Sequence, residues 1–315
     1  MYVNAFEGRV RSGTVLGHSL WDTSRMSAPV GSERPDGGQR AVAGRASRRP
    51  EQLLLAFLGE FVLDADVEHV PSGVLIGLLA DLGVGAAATR ATLARMSGRG
   101  LLVKVRSGRE VAYGLAPAGE AVLREARGRV LAREPFAPVG TGWTLVTFSV
   151  PESQRDARHR VRATLTWSGF GLLRDGLWIA PGEVDLSAAL RPLDGDHADV
   201  ELSAFRAYEI EGFSAARAVR SAWRLDEIAA HHRQFLDTWA GVEGSLDPLR
   251  DMTALGADWL ALLRADPRLP AEHLSADWPS GRSAATFRRL REMFVGEARA
   301  GLADLLGRAG VPSAG

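Results

Sequence analysis

The 315-residue chain has no cysteine, a single lysine (Lys104), three tyrosines and no long uninterrupted apolar run. Without cysteine there are neither disulfides nor thiolate metal sites, a pattern that suits a reducing compartment. No apolar stretch approaches the roughly 18 residues a bilayer span requires. The N-terminus also lacks the continuous apolar core of a signal peptide. A soluble cytoplasmic protein with no membrane partner is the expectation. Thirty-eight basic and 38 acidic residues cancel to a net charge of zero, which excludes a uniformly basic coat. Because 37 of the 38 cations are arginine, arginine abundance is a property of the whole chain and carries no functional signal by itself. What is present, 46% hydrophobic and 24% charged residues, is ordinary for a globular protein long enough for two or three domains.

The stretch from Pro71 to Leu115 organises the chain. It predicts a helix over Ser72–Leu82 with Ser72 as N-cap. A tight turn follows at Gly83-Val84-Gly85, then a second helix from Ala86 to about Ser97. Two short strands joined by Arg106-Ser107-Gly108-Arg109 complete it. Helix, turn, helix and β-hairpin is the layout of a winged helix-turn-helix. At about 100° per residue, Leu93 and Met96 of the second helix face a core, with Ala86 and Thr89 on the same side. Ala87, Ala88, Ala91 and Arg95 then face outward, with Thr92 and Arg99 on one margin and Arg90 on the other. Alanines there let a helix approach a major groove closely and touch thymine methyls while an arginine reaches guanine or phosphate. They are equally good helix formers in an alanine-rich protein. Between Gly85 and Glu110 stand Arg90, Arg95, Arg99, Lys104, Arg106 and Arg109 against one acid, Glu110. This local excess of positive charge is the footprint that matters for nucleic acid. The expected contacts to double-stranded DNA are Ala87, Arg90, Ala91, Thr92, Arg95, Arg99, Lys104, Arg106, Ser107 and Arg109. A solvated hairpin tip is the other reading of the last four.

Around this unit, residues 1–49 are rich in Gly, Ser, Arg and Pro without periodicity and read as a disordered tail. Met26 is an alternative start, and Arg48-Arg49 reads either as a phosphate-contacting arm or as a solvated linker. Pro50–Leu63 carries a helical apolar stripe, and Ala118–Ala132 forms a helix beyond the hairpin. The linker PFAPVGTG (135–142) marks a boundary. Beyond it come a strand over Trp143–Val150, a helix over Arg155–Trp167 and strands near 169–173 and 177–180. A short helix near 186–190 and a strand over Val200–Ile210 follow. That order is the ferredoxin-like split βαβ. Helices over Ser221–Ala240, Pro248–Leu263 and Thr286–Leu306 make the last third all-helical. The expected fold is α+β and multidomain. It comprises the tail (1–49), a winged helix-turn-helix domain (50–134), a ferredoxin-like domain (139–212) and a helical effector or dimerisation domain (218–310).

Chemistry-bearing motifs are sparse. Asp194, Asp196, His197 and Asp199 invite a metal reading, but Ala198 stands fifth and the glycine and glutamate of a calcium loop are missing. His231 and His232 are adjacent and cannot share a helix face; one is expected packed and one exposed. No nucleophile elbow, P-loop or His-carboxylate spacing occurs. Neither catalytic residues, nor a metal, nor a cofactor is expected. Trp178, Trp223, Trp259 and Arg264 are candidates to line a pocket for a flat or acylated ligand, although tryptophans equally serve as core.

The order of parts and several strings resemble the PaaX-like family of phenylacetic-acid-catabolism transcriptional repressors, over roughly residues 50 to 300. The strings are PSGVLIGLLADLGVGAAATRATLARMSGRGLL, SGREVAYGLAPAGEAVL, GTGWTLVTFSVPESQRDARHRVRATLTWSGFGLLRDGLWIAP and DPRLPAEHLSADWP. The resemblance implies a homodimer on an inverted-repeat operator, released by an acyl- or aryl-coenzyme A thioester. Arg90 matches an arginine of the family's helix. Leu93, Arg95 and Met96 match its Leu-x-Arg-Leu ending, and Gly108-Arg109 its wing turn. Ala257 and Leu260 beside Trp259 depart from the family's His and Arg, at a position that bears on the effector. The middle domain also resembles a small CRISPR-associated nuclease fold, whose metal-binding aspartate lies near the end of the first strand. Here that strand ends Phe148-Ser149-Val150, without a carboxylate.

Overall fold

Apolar residues spaced three and four apart turn Pro50–Phe61 into the first helix, α1, with Leu53, Leu54, Phe57 and Leu58 fully buried. The computed structural model describes residues 48–107, 110–151, 154–190, 201–212 and 214–309. The tail before Arg48, the hairpin tip Gly108-Arg109 and the acidic loop with Asp194, Asp196, His197 and Asp199 lie outside the described residues.

After α1 come β1 (Val70–Pro71), α2 (Ser72–Asp81), α3 (Ala86–Gly98), β2 (Leu102–Ser107), β3 (Glu110–Leu115) and α4 (Pro117–Val130). Both α2 and α3 stop in the same way. At the end of α2, Gly83 takes φ 84°. The amide of Val84 donates to Leu79 O (2.8 Å) and that of Gly83 to Ala80 O (2.9 Å). This is the Schellman pattern, which needs a left-handed residue that glycine supplies without a Cβ clash. Gly100 (φ 72°) repeats it after α3, with Leu101 N to Met96 O at 3.0 Å. Ser72 does not cap α2. It is the first helical residue, and Pro71 occupies the cap position without a side-chain bond. Pro71 belongs instead to β1, which pairs antiparallel with β3 (Val70 opposite Tyr113) and makes the sheet order β1-β3-β2.

The second sheet is built from β4 (Trp143–Ser149), β5 (Gly171–Arg174), β6 (Leu177–Pro181) and β7 (Glu201–Ala207). Its order is β5-β6-β4-β7 with every pair antiparallel. The helix α5 (Arg155–Trp167) connects β4 to β5, and α6 (Leu186–Leu190) follows β6. This is the strand order of a split βαβ unit. Alternation along β4 sends Val146 and Phe148 to a core with Val161 and Leu165 of α5 and Trp178 of β6. Trp143 and Leu145 point the other way, into a cluster with Ile179, Val219 and Ile228. The sheet is therefore covered on one face by α5 and on the other by α7 (Ala216–Ala222) and α8 (Leu225–Trp239).

Two long helices, α9 (Pro248–Ala265) and α10 (Ser280–Arg308), complete the chain. The largest apolar cluster runs without a break from α1, α2 and α3 to Leu255, Trp259, Leu262, Phe287, Leu290 and Phe294. The core of the N-terminal unit thus continues into α9 and α10. Where α1 crosses α9 the residues are small, and a Cβ added to Gly256 would stand 3.1 Å from that of Ala56. Arg48 reinforces the join with two 2.7 Å bonds to Asp258, which also accepts Trp239 Nε1–H at 2.9 Å. Arg48 is thereby neither a solvated linker nor a free phosphate arm. Arg49 remains exposed.

Candidate nucleic-acid interface

Four side chains anchor α3: Thr89, Thr92, Leu93 and Met96 are at most 1% exposed. Everything that faces away from them is open, namely Ala87, Ala88, Arg90, Ala91, Ala94 and Arg95. The outer face is therefore one of methyl groups bordered by two guanidinium groups. Arg95 is oriented by a 2.8 Å bond from its Nη2 to Thr92 Oγ1.

Two of the expected contacts lie elsewhere. Thr92 is not on the margin of the outer face but 1% exposed. Its hydroxyl donates to Ala88 O at 2.9 Å, an i−4 bond that satisfies the polar group and lets its methyl join the core. Arg99 turns back toward α1, where its Nη2 pairs with Glu51 at 2.5 Å and the side chain is 20% exposed. It braces α3 against α1 and is not presented outward.

Beside α3, β2 is an edge strand in a three-stranded sheet. Val103, Lys104, Val105 and Arg106 are all exposed, so both faces of the strand project from the molecule. Lys104 pairs with Tyr113 and Arg106 with Val111 across the ladder. Close backbone packing fixes the strand's root. A Cβ on Gly119 of α4 would collide with the carbonyl of Leu101, and one on Gly114 with that of Glu68. Ser107 ends the strand; Arg109 lies outside the described residues.

The four residues expected around a ligand do not converge. Trp178 belongs to the cluster under α5, Trp223 packs beside the cluster on the opposite face of the sheet, and Trp259 sits in the large N- and C-terminal core. Each is claimed by a different packing layer, which is why no single pocket contains them. Arg264 lies over the ring of Trp167 at 4.6 Å. Its pKa is pulled down to about 10, chiefly by burial and secondly by Arg49, with Glu51 opposing. Trp259 lines a cavity of about 260 Å³ between the end of α4, Pro135 and α10, with Arg288, Arg291 and Glu292 at its rim. Its ring stacks on Phe287 at 4.3 Å and 6°, and its Nε1–H reaches Val130 O at 3.3 Å.

The structure also assembles a constellation that no sequence spacing displays. His232 Nδ1 lies 3.0 Å from Ser283 Oγ, and its Nε2 lies 2.8 Å from Asp266 Oδ2. His232 and Ser283 are 0% exposed and Asp266 4%, so the three groups are sealed from any substrate. They join α8, the end of α9 and α10 as a buried polar brace. Arg129 of α4 extends it, donating to Asp266 O at 2.9 Å and Pro135 O at 3.2 Å. Burial first, and Arg268 second, lower its pKa to about 9, against the pull of Asp266.

Family models match the chain in three consecutive segments. Residues 49–119 match the PaaX-like protein model, 137–218 the PaaX protein central Cas2-like domain, and 223–303 the PaaX-like protein C-terminal domain. The chain belongs to the PaaX-like family. No curated protein matches it. Among solved structures, the uncharacterized protein Rv0674 from Mycobacterium tuberculosis is similar, with a TM-score of 0.51 and 24% identity. The match covers 81% of the PaaX-like protein and 99% of that chain, and at this identity it speaks for the fold alone. The family models place the candidate interface in the first segment and the sheet of β4–β7 in the Cas2-like one. Among the described residues no group of three or more His, Cys, Asp or Glu could hold a metal, and no helix is long and apolar enough to cross a membrane.

Proposed function

We infer that this PaaX-like protein is a DNA-binding transcriptional regulator whose α2–α3 and β2–β3 form a winged helix-turn-helix, α3 entering the major groove. The observation that carries this reading is the outer face of α3. It is a helix held by four buried residues whose other side offers only methyls, Arg90 and Arg95, next to an exposed strand bearing Lys104 and Arg106. Methyl-lined faces admit close approach to base edges and the cations bind phosphate. The exposed strand is the wing. The protein acts as a homodimer on an inverted repeat, since dimeric helix-turn-helix proteins read palindromes. An acyl- or aryl-coenzyme A thioester is the effector that releases it, and it acts as a repressor. The Trp259 cavity suits such a ligand in place, because it touches α4, the helix leaving the DNA-binding unit, as well as α10.

DNA retained by the protein from sheared genomic fragments supplies the operator. On that fragment, Arg95→Ala and Arg106→Ala each weaken binding by about tenfold, the scale of one charge-assisted contact, with melting temperature unchanged. Equal affinity of both variants and the parent removes the assignment. A coenzyme A thioester series read by thermal shift tests the effector separately, since a ligand that binds only the folded state raises the transition.

A further inference from the structure

A second basic surface lies on the central sheet, and the reading of α3 does not use it. On α5, Arg155, Arg158 and Arg162 stand three and four residues apart, one above another on the exposed side of the helix, while Ala157, Val161, Thr164 and Leu165 face the core. Next to Arg158 and Arg162 opens a cavity of about 220 Å³, bounded by Phe148, Ser149 and Val150 at the end of β4, Gly176 in the β5–β6 turn and Trp178 of β6. Among the described residues the two arginines are the only charged ones lining it. Arg158 Nη2 donates to Val150 O at 3.0 Å, which anchors that guanidinium at the rim and leaves its remaining N–H groups for a ligand. Trp178 is 5% exposed, and its Nε1–H has no acceptor among the described residues. A buried indole N–H without a partner carries an uncompensated desolvation cost and calls for a reason. Ser149 completes the lining, and across the β4–β7 ladder its register partner is Glu201.

We propose that this cavity is a phosphoryl-binding site, with Arg158 and Arg162 as the cationic clamp and Trp178 Nε1–H as the inner donor. Two guanidinium groups one helical turn apart match the charge of a phosphate better than that of a single carboxylate, and each polar side chain of the described lining can donate a hydrogen bond. The walls contributed by Phe148 and Val150 accept whatever apolar or sugar portion carries the phosphate. The phosphoryl group comes either from a small phosphorylated molecule or from a DNA backbone passing over α5.

The test uses the full chain with indole-15N tryptophan, which gives one N–H signal for each of its eight tryptophans; Trp178→Phe identifies the signal of interest. Sodium pyrophosphate is the probe. The Trp178 signal shifts saturably, and Arg158→Ala and Arg162→Ala, both exposed substitutions, weaken the titration by about tenfold each. The source is decided on duplex DNA. If the backbone supplies the phosphate, the double variant lowers the slope of log affinity against log salt by about 0.9 per lost phosphate contact. If a small molecule does, the slope is unchanged while the pyrophosphate response is lost. A Trp178 signal indifferent to pyrophosphate, or a titration that survives in both folded variants, overturns the site. Neither result alters Arg90, Arg95, Lys104 or Arg106, so the reading of α3 stands or falls separately.

Discussion

Arg95 and Arg99 stand four residues apart on α3, and their surroundings separate their roles. Arg95 is exposed and held by Thr92; Arg99 is turned into an ion pair with Glu51. Arg99→Ala is therefore expected to cost stability, about 0.2–1 kcal/mol for a partly exposed pair, measured by urea unfolding, and to leave operator affinity within twofold. Arg95→Ala should show the converse. Thr92→Val, which keeps the shape but removes a hydroxyl already satisfied inside the helix, should bind DNA nearly as the parent does, apart from the freedom it restores to Arg95. Thr92 was misplaced by reasoning on angle alone. A threonine at the border of a helix face is polar in a list of residues, but it hides its hydroxyl on the carbonyl four residues back.

Between elements, the buried trio of His232, Asp266 and Ser283 is the joint whose loss is most costly. His232→Phe fills the space but takes the imidazole away from Asp266 Oδ2, while Oδ1 keeps the Arg268 amide. Leaving a buried acceptor unsatisfied costs about 1–3 kcal/mol, more where it is charged, and an unfolding free energy lower by that amount, with the denaturant slope unchanged, is expected. His232→Phe combined with Asp266→Asn should recover part of it. Gly119→Ala probes a second joint. Its new methyl meets the Leu101 carbonyl, so the root of β2 must shift, and operator binding should fall although no contacting residue is altered. Elements with strong periodicity were legible in the sequence. The helix over Arg155–Trp167 and the strand beginning at Trp143 are where the pattern put them, as are the exposed His231 and packed His232. The split βαβ layout of the central sheet followed from the order of its elements along the chain. What was not legible was short or distant. The two-residue strand Val70–Pro71 has no period to detect, and α7 is seven residues long. The trio joins positions 34 and 51 residues apart, a proximity that only the packing of three helices creates. The tryptophans were legible as a type but not by location, because each apolar layer recruits its own.

At the scale of the whole molecule, the continuity of the core from α1 to α10 decides how a signal travels. The N-terminal unit does not hang on a free linker. Arg48 is clamped by Asp258, Arg291 pairs with Glu60 at 2.8 Å, and Trp259 bonds the last turn of α4. A ligand in the Trp259 cavity would therefore act on the position of α4 through packed contacts, and Asp258→Ala is expected to loosen that coupling, seen as a smaller effector-induced loss of DNA affinity. The absence of cysteine from the chain opens the most direct test of the interface. A single cysteine at Ala91→Cys, on the outer face of α3, carries an iron chelate that cuts nearby DNA, with the same label at Leu246→Cys as a fully exposed control. Two cleavage clusters related by the operator's dyad, from the Ala91 label and not from the Leu246 label, are expected. Intact DNA around the Ala91 label in a complex that is otherwise fully bound would mean that α3 is not the element that reads the duplex.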